Sequence, residues 1–310
     1  MPAISRRQFF EKSAAGAAAA GLVSTASRGL YANPMGIPIG SQTYPHRARI
    51  KDDFAGLCKD MAELGIGNME LCSPGYAEFA SLTDGKQTRK IIEDHGLKCP
   101  SAHFDLKELR TKQDESIAWA KEIGMTQMGT ASLAGRMQQG VATMDEVKRA
   151  ADEYNKIGEN AAKAGIQQFL HDEGFELAHV DKADGQLVYQ ALFDLLDPKL
   201  VKFQFQMSAM TTVGEPVAWF NKYPGRFLSI HLQGVNLNPP PPPAPDAAGQ
   251  APAGRGRGGR GGPQLAVGKD SVDWPKVFAA AKTCGVKNYF VEQTWDLTVQ
   301  SVAYLKTLNA

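Results

Sequence analysis

One pattern returns eight times along this chain. A short apolar run meets a few polar residues, a stretch of helical periodicity follows, and in several cases a glycine ends it. The runs are Ile37 to Gln42, Asn68 to Leu71, Lys98 to His103, Thr126 to Gly129, Gln167 to His171, Val201 to Gln206, Phe227 to Leu232 and Asn288 to Glu292. Runs so short and apolar read as buried strands. Strands that alternate with helices imply a parallel sheet. Eight such units imply a closed (β/α)8 barrel. A length of 310 residues allows one such barrel or two smaller domains, and the unbroken count of eight favours the barrel. A doubly wound open sheet is the alternative. It would favour a glycine-rich first turn, and Gly40-Ser41-Gln42-Thr43 does not match G-x-G-x-x-G.

The helical stretches carry their own punctuation. Phe54, Leu57, Cys58, Met61 and Leu64 recur at helical spacing before Gly65. Thr143-Met144-Asp145-Glu146 fits a capping box and opens a long helix with Val147, Ala150, Ala151, Tyr154, Ile157 and Ala161 on one face. Asp273 is placed to cap a helix from Trp274 to Lys282, and Val299 to Leu308 closes the chain as a helix.

Active sites of such barrels sit where the strands end. Four successive runs end in His171, Gln206, His231 and Glu292. Their side chains are expected to converge on one pocket. Glu70 and His103 close strands two and three and are expected as substrate contacts, with Gln206 and Gln233. Tyr44, after the first strand, is expected as a further substrate contact through its ring face, and Trp295 is as well suited to packing. Of the acidic group Asp172, Glu173 and Glu176, Glu173 is the candidate acid/base. His95 and His179 read as solvated.

Two segments stand apart from the barrel pattern. Ser5-Arg6-Arg7-Gln8-Phe9-Phe10 precedes a weakly apolar run rich in Ala and Gly, which resembles a twin-arginine export signal. The run is too short and small-sided to span a membrane. Cleavage after Ala26 or Ala32 would release a protein with no membrane attachment, with residues 33–310 as the barrel and the periplasm as its expected destination. The stretch 239–262 holds five consecutive prolines, then Arg255, Arg257 and Arg260 among glycines. It has nothing apolar to bury and reads as a disordered loop insertion. A net charge of +1 gives no overall field for nucleic acid, so no nucleic-acid partner is expected despite the RGG-like tract. Cys58, Cys72, Cys99 and Cys284 make no C-x-x-C pair and read as buried free thiols.

Gly165 to Leu177, Asp197 to Gln206, Tyr223 to Leu232, Val267 to Trp274 and Gly285 to Gln293, in this order, carry a family likeness. The chain resembles the sugar phosphate isomerase/epimerase superfamily, the xylose isomerase-like TIM barrels. The resemblance implies strand ends that hold a divalent metal and move a proton next to a sugar carbonyl. It aligns His171 with a fifth-strand Glu or His, His231 with the seventh-strand His and Glu292 with the eighth-strand Glu. Four positions depart from it. Gln206 replaces the sixth-strand Asp, Gln233-Gly234 replaces Lys-Asp, and Glu173 stands where a second His occurs.

The chemistry expected of these residues is proton abstraction by a base, with stabilisation of the enediolate oxygen. Glu292 is the expected base, with His171, His231 and Glu173 as further acid/base groups. His171, His231 and Glu292 could form a 2-His-1-carboxylate metal set with Gln206 as a neutral fourth ligand. So little negative charge disfavours Mg²⁺ and favours Mn, Zn or Co. The expected partner is a small carbohydrate. A lyase or hydratase acting on a keto-sugar or glycoside is the alternative, and a carbohydrate-binding barrel without catalysis is a second.

Overall fold

The computed structural model describes residues 33–131, 140–172, 178–237 and 264–308. The N-terminal segment read as an export signal, the 239–262 stretch and Glu173 lie outside them.

Eight strands run β1 (Gly40–Gln42), β2 (Asn68–Cys72), β3 (Lys98–His103), β4 (Gln127–Thr130), β5 (Gln167–His171), β6 (Val201–Gln206), β7 (Phe227–Leu232) and β8 (Asn288–Val291). Each pairs in parallel with its neighbours in the chain, and β8 returns to β1 through Gly40 opposite Phe290. The expected (β/α)8 barrel is what the chain forms. Its main helices are α1 (Arg47–Glu63), α2 (Gly85–Asp94), α3 (Gln113–Ile123), α4 (Met144–Lys163), α5 (Val188–Leu195), α6 (Pro216–Lys222), α7 (Trp274–Cys284) and α8 (Trp295–Leu305), with short ones at Leu106–Thr111 and Met207–Met210. The capping box is present: Thr143 takes the backbone N–H of Glu146, and Glu146 takes that of Thr143.

Three local expectations need correction. The first strand starts at Gly40 rather than Ile37, since Pro38 has no N–H to give a sheet. The last helix starts at Trp295, so this residue packs in a first turn and meets His46 edge to face. His179 sits in a two-residue strand, His179–Val180, paired with Val141–Ala142, and its Nδ1 lies 2.7 Å from the Gly185 carbonyl.

The core has two parts. Between strands and helices it is apolar, with Leu57, Met61, Ala120, Ile157 and Leu192 all buried. Inside the barrel it is unusually polar. Asn68, Asn288 and Gln127 bond across the bottom, at 3.5 Å from Asn68 to Asn288 and 3.1 Å from Asn288 to Gln127. Two aromatic rings fill the space beside glycines. A Cβ at Gly129 would stand 2.1 Å from the Phe169 ring, and one at Gly40 would stand 2.6 Å from that of Phe290.

Candidate active site

Side chains on a strand alternate, so every second residue enters the barrel. Ser101 and His103 therefore share a face on β3, as do Gln204 and Gln206 on β6 and Ser229 and His231 on β7. The register places Gln206 opposite His231 and His231 opposite Phe290. Glu292 follows β8 and is tied to β7 by its N–H to Leu232 at 3.1 Å. Asp172, next to His171, accepts the N–H of Gln206 at 3.2 Å and so joins the ends of β5 and β6.

A cavity of about 620 Å³ opens at these ends. Its wall includes His103, His171, Gln206, Gln233, Glu292 and Tyr44, whereas His231, expected there with them, is wholly buried and does not line it. Gln42, Arg47, Tyr76 and Asp105 also reach it, and the sequence reading did not single them out. Arg47 bonds to the Tyr44 carbonyl and pairs with Glu78 at 3.5 Å.

Glu292 is the carboxylate where β6, β7 and β8 meet. Its Oε2 accepts from Gln206 Nε2 at 2.7 Å and Gln233 Nε2 at 2.9 Å, and lies 3.3 Å from His231 Nδ1. Burial pushes this carboxyl up, but the His231 charge and hydrogen bond, with that of Gln206, hold it below the ordinary value.

One expected substrate contact changes place, and a second takes on another role. Glu70 is wholly buried and belongs below the cavity floor rather than on its wall, because β2 aims it at the barrel axis. It accepts from His231 Nε2 at 2.5 Å, Ser101 Oγ at 2.6 Å and Gln204 Nε2 at 2.9 Å. His103 lines the cavity but also joins the histidine group. Ring nitrogens of His103, His171 and His231 lie within 4.8 Å of one another. His103 and His231 stack with centroids 5.4 Å apart, and His171 tilts against both. The nitrogen cluster thus contains His103 where the sequence expectation put Glu292, which stands beside the cluster on His231.

His231 and His171 differ electrostatically. Burial lowers His231, yet Glu292 and Glu70 on either side raise it to about 10, so it is an imidazolium at neutral pH. Burial, together with the charge of His231 and His103, holds His171 well below its ordinary value, so it is neutral. Burial raises Glu70, and His103 and His231 outweigh it and hold the carboxyl well below the usual range. Nδ1 of His171 and Oε1 of Gln206 find no hydrogen-bond partner among the described residues.

No family model and no curated protein matches the chain. Solved structures do. A sugar phosphate isomerase/epimerase from Parabacteroides distasonis aligns with a TM-score of 0.67 at 19% identity, over 87% of this chain and 93% of that one. A xylose isomerase-like TIM barrel protein from Mycobacterium smegmatis, in complex with magnesium, aligns at 0.62 and 16% identity, over 89% and 97%. A D-psicose 3-epimerase in the presence of D-fructose aligns at 0.56 and 12% identity, over 87% and 95%. The shared feature is the fold, a xylose isomerase-like (β/α)8 barrel.

Proposed function

We propose that the chain is a sugar isomerase or epimerase that moves a proton next to the carbonyl of a small carbohydrate. One observation carries this reading. An ionised carboxylate, Glu292, stands on the cavity wall between two amide donors and an imidazolium, with the neutral His171 on the same wall. Glu292 is the base that takes the proton alpha to the carbonyl. Its lowered pKa keeps it ionised but makes it a weak base. The carbonyl must then be strongly polarised for the proton to leave. The amide groups of Gln206 and Gln233 orient the carboxylate, and His103 and His171 face the position of the developing oxyanion.

The donor set fits a divalent ion. Three buried ring nitrogens cluster, and His171 Nδ1 and Gln206 Oε1 are buried without partners among the described residues. His103 and His171 would hold the ion, with His231 joining them once it gives up a proton, beside Glu292 and Gln206, and it would supply Lewis-acid polarisation of the carbonyl. A set so rich in imidazole favours Zn²⁺, Mn²⁺ or Co²⁺ over Mg²⁺.

Product analysis by NMR on a panel of keto-sugars and glycosides tests the reaction. An epimer or isomer is expected. An eliminated product would make the protein a lyase, and binding without turnover would make it a carbohydrate-binding barrel. Calorimetric titration tests the ion. Wild type is expected to bind Zn²⁺ more tightly than Mg²⁺, and His171→Ala to lose most of that affinity. Tighter binding of Mg²⁺ than Zn²⁺ would overturn the ligand assignment.

A further inference from the structure

Glu70 is a wholly buried carboxylate, and it does not reach the cavity. A carboxylate buried with no partner is costly, so its surroundings must be built to hold it. Both oxygens are engaged. Oε1 accepts from Ser101 Oγ at 2.6 Å and Gln204 Nε2 at 2.9 Å. Oε2 accepts from His231 Nε2 at 2.5 Å and lies 3.3 Å from His103 Nε2. Gln204 is a bridge, because its other end, Oε1, accepts from His103 Nε2 at 2.7 Å. Its amide also donates to Ser229 Oγ at 2.9 Å, and the Glu70 carboxylate, which can only accept, fixes which end is which.

The consequence is directional. A ring nitrogen that donates a hydrogen bond keeps its proton, and the other nitrogen is the one left for chemistry. His231 turns Nε2 down to Glu70 and Nδ1 toward Glu292, 3.3 Å away. His103 likewise has Nε2 committed to Gln204. A carboxylate behind a working histidine has a known effect: it sets the tautomer and the ring orientation.

We infer that Glu70 is a positioning residue: its buried carboxylate holds the Nε2–H of His231 directly and that of His103 through Gln204, leaving His231 Nδ1 for Glu292. One carboxylate on β2 thereby orients two of the three site histidines from below. The inference deepens the reading of this cavity as the working site and rests on it.

The test uses the full chain labelled with ¹⁵N-histidine. Metal-free wild type is expected to show a downfield, slowly exchanging ring Nε2–H for His231, assigned by its disappearance in His231→Asn. In Glu70→Gln that resonance should move upfield and exchange about tenfold faster or more, since a neutral amide replaces the charged acceptor. Zinc affinity, read by competition with a chromophoric chelator, should fall by about 10- to 100-fold. Ser101→Ala, which removes a Glu70 donor but touches no histidine, should leave the resonance in place. An unchanged His231 signal in folded Glu70→Gln overturns the inference. If that variant does not fold, Gln204→Met is read instead: His103 should lose its protected Nε2–H while His231 keeps its own, and an unchanged His103 signal overturns the inference. A wild type that binds no zinc sinks the metal reading alone, and the ring resonances still decide the role of Glu70.

Discussion

The buried histidines make stability depend on pH in opposing ways. Folded, His231 holds its proton up to about 10 against an ordinary 6.5. Its contribution is complete below about 6.5 and is lost as the pH climbs toward 10. His171, held well below 6.5, and His46, which burial and Arg49 lower to about 4, work oppositely. Their contribution is complete above about 6.5 and is lost as the pH falls. Glu70 and Glu292, both depressed, add a further loss in acid below about 4.5. The melting temperature is expected to peak near pH 6.5 and fall on both sides. A melting temperature level from about pH 7 to 10 would contradict the charged His231. At this scale the sequence was informative about residue type and less so about partners. His171, Gln206, Gln233 and Glu292 could be placed at strand ends because the apolar runs stop there. The bond from Glu70 to His231 spans 161 positions and crosses the barrel, so no local pattern announces it. Gln204 was within reach, since it shares the face of Gln206 two residues on.

At the level of elements, punctuation did most of the work. Thr143 and Glu146 marked the start of α4, and Gly285 and Gly124 end their helices at positive φ, where a side chain would be strained. The starts of β1 and α8 were harder, because Pro38 blocks pairing and Trp295 can open a helix as readily as sit in a loop. The two-residue ribbon of 141–142 and 179–180 is too short for any period to show. Barrel closure adds a steric demand that the runs do not display. Position 129 takes glycine where β4 and β5 pair beside the Phe169 ring, since a Cβ there would stand 2.1 Å from that ring. Gly129→Ala is therefore expected to lower stability by about 1–3 kcal/mol, the usual range for overpacking. Urea unfolding measures it, and a midpoint equal to that of wild type would show that the ring moves aside freely.

For the whole molecule, the count of eight units led to the barrel, and the barrel determines where the chemistry gathers. Parallel strands all end on one face, so residues 171, 206 and 292, far apart in the chain, share one cavity wall. The polar barrel interior then supports that wall from below, through Glu70, Ser101, Gln204 and Ser229. Proton transfer at Glu292 is the central claim, and exchange with solvent tests it most directly. Purified protein, with and without zinc, is incubated in D₂O with a panel of keto-sugars and glycosides, and deuterium is followed at the carbon next to the carbonyl. Wild type is expected to incorporate deuterium into at least one of them. Glu292→Gln, with an unchanged circular dichroism spectrum, is expected to lose about 10²- to 10⁴-fold in that rate, the usual contribution of a general base. Incorporation by Glu292→Gln at the wild-type rate, or none by wild type across the panel, would contradict the assignment.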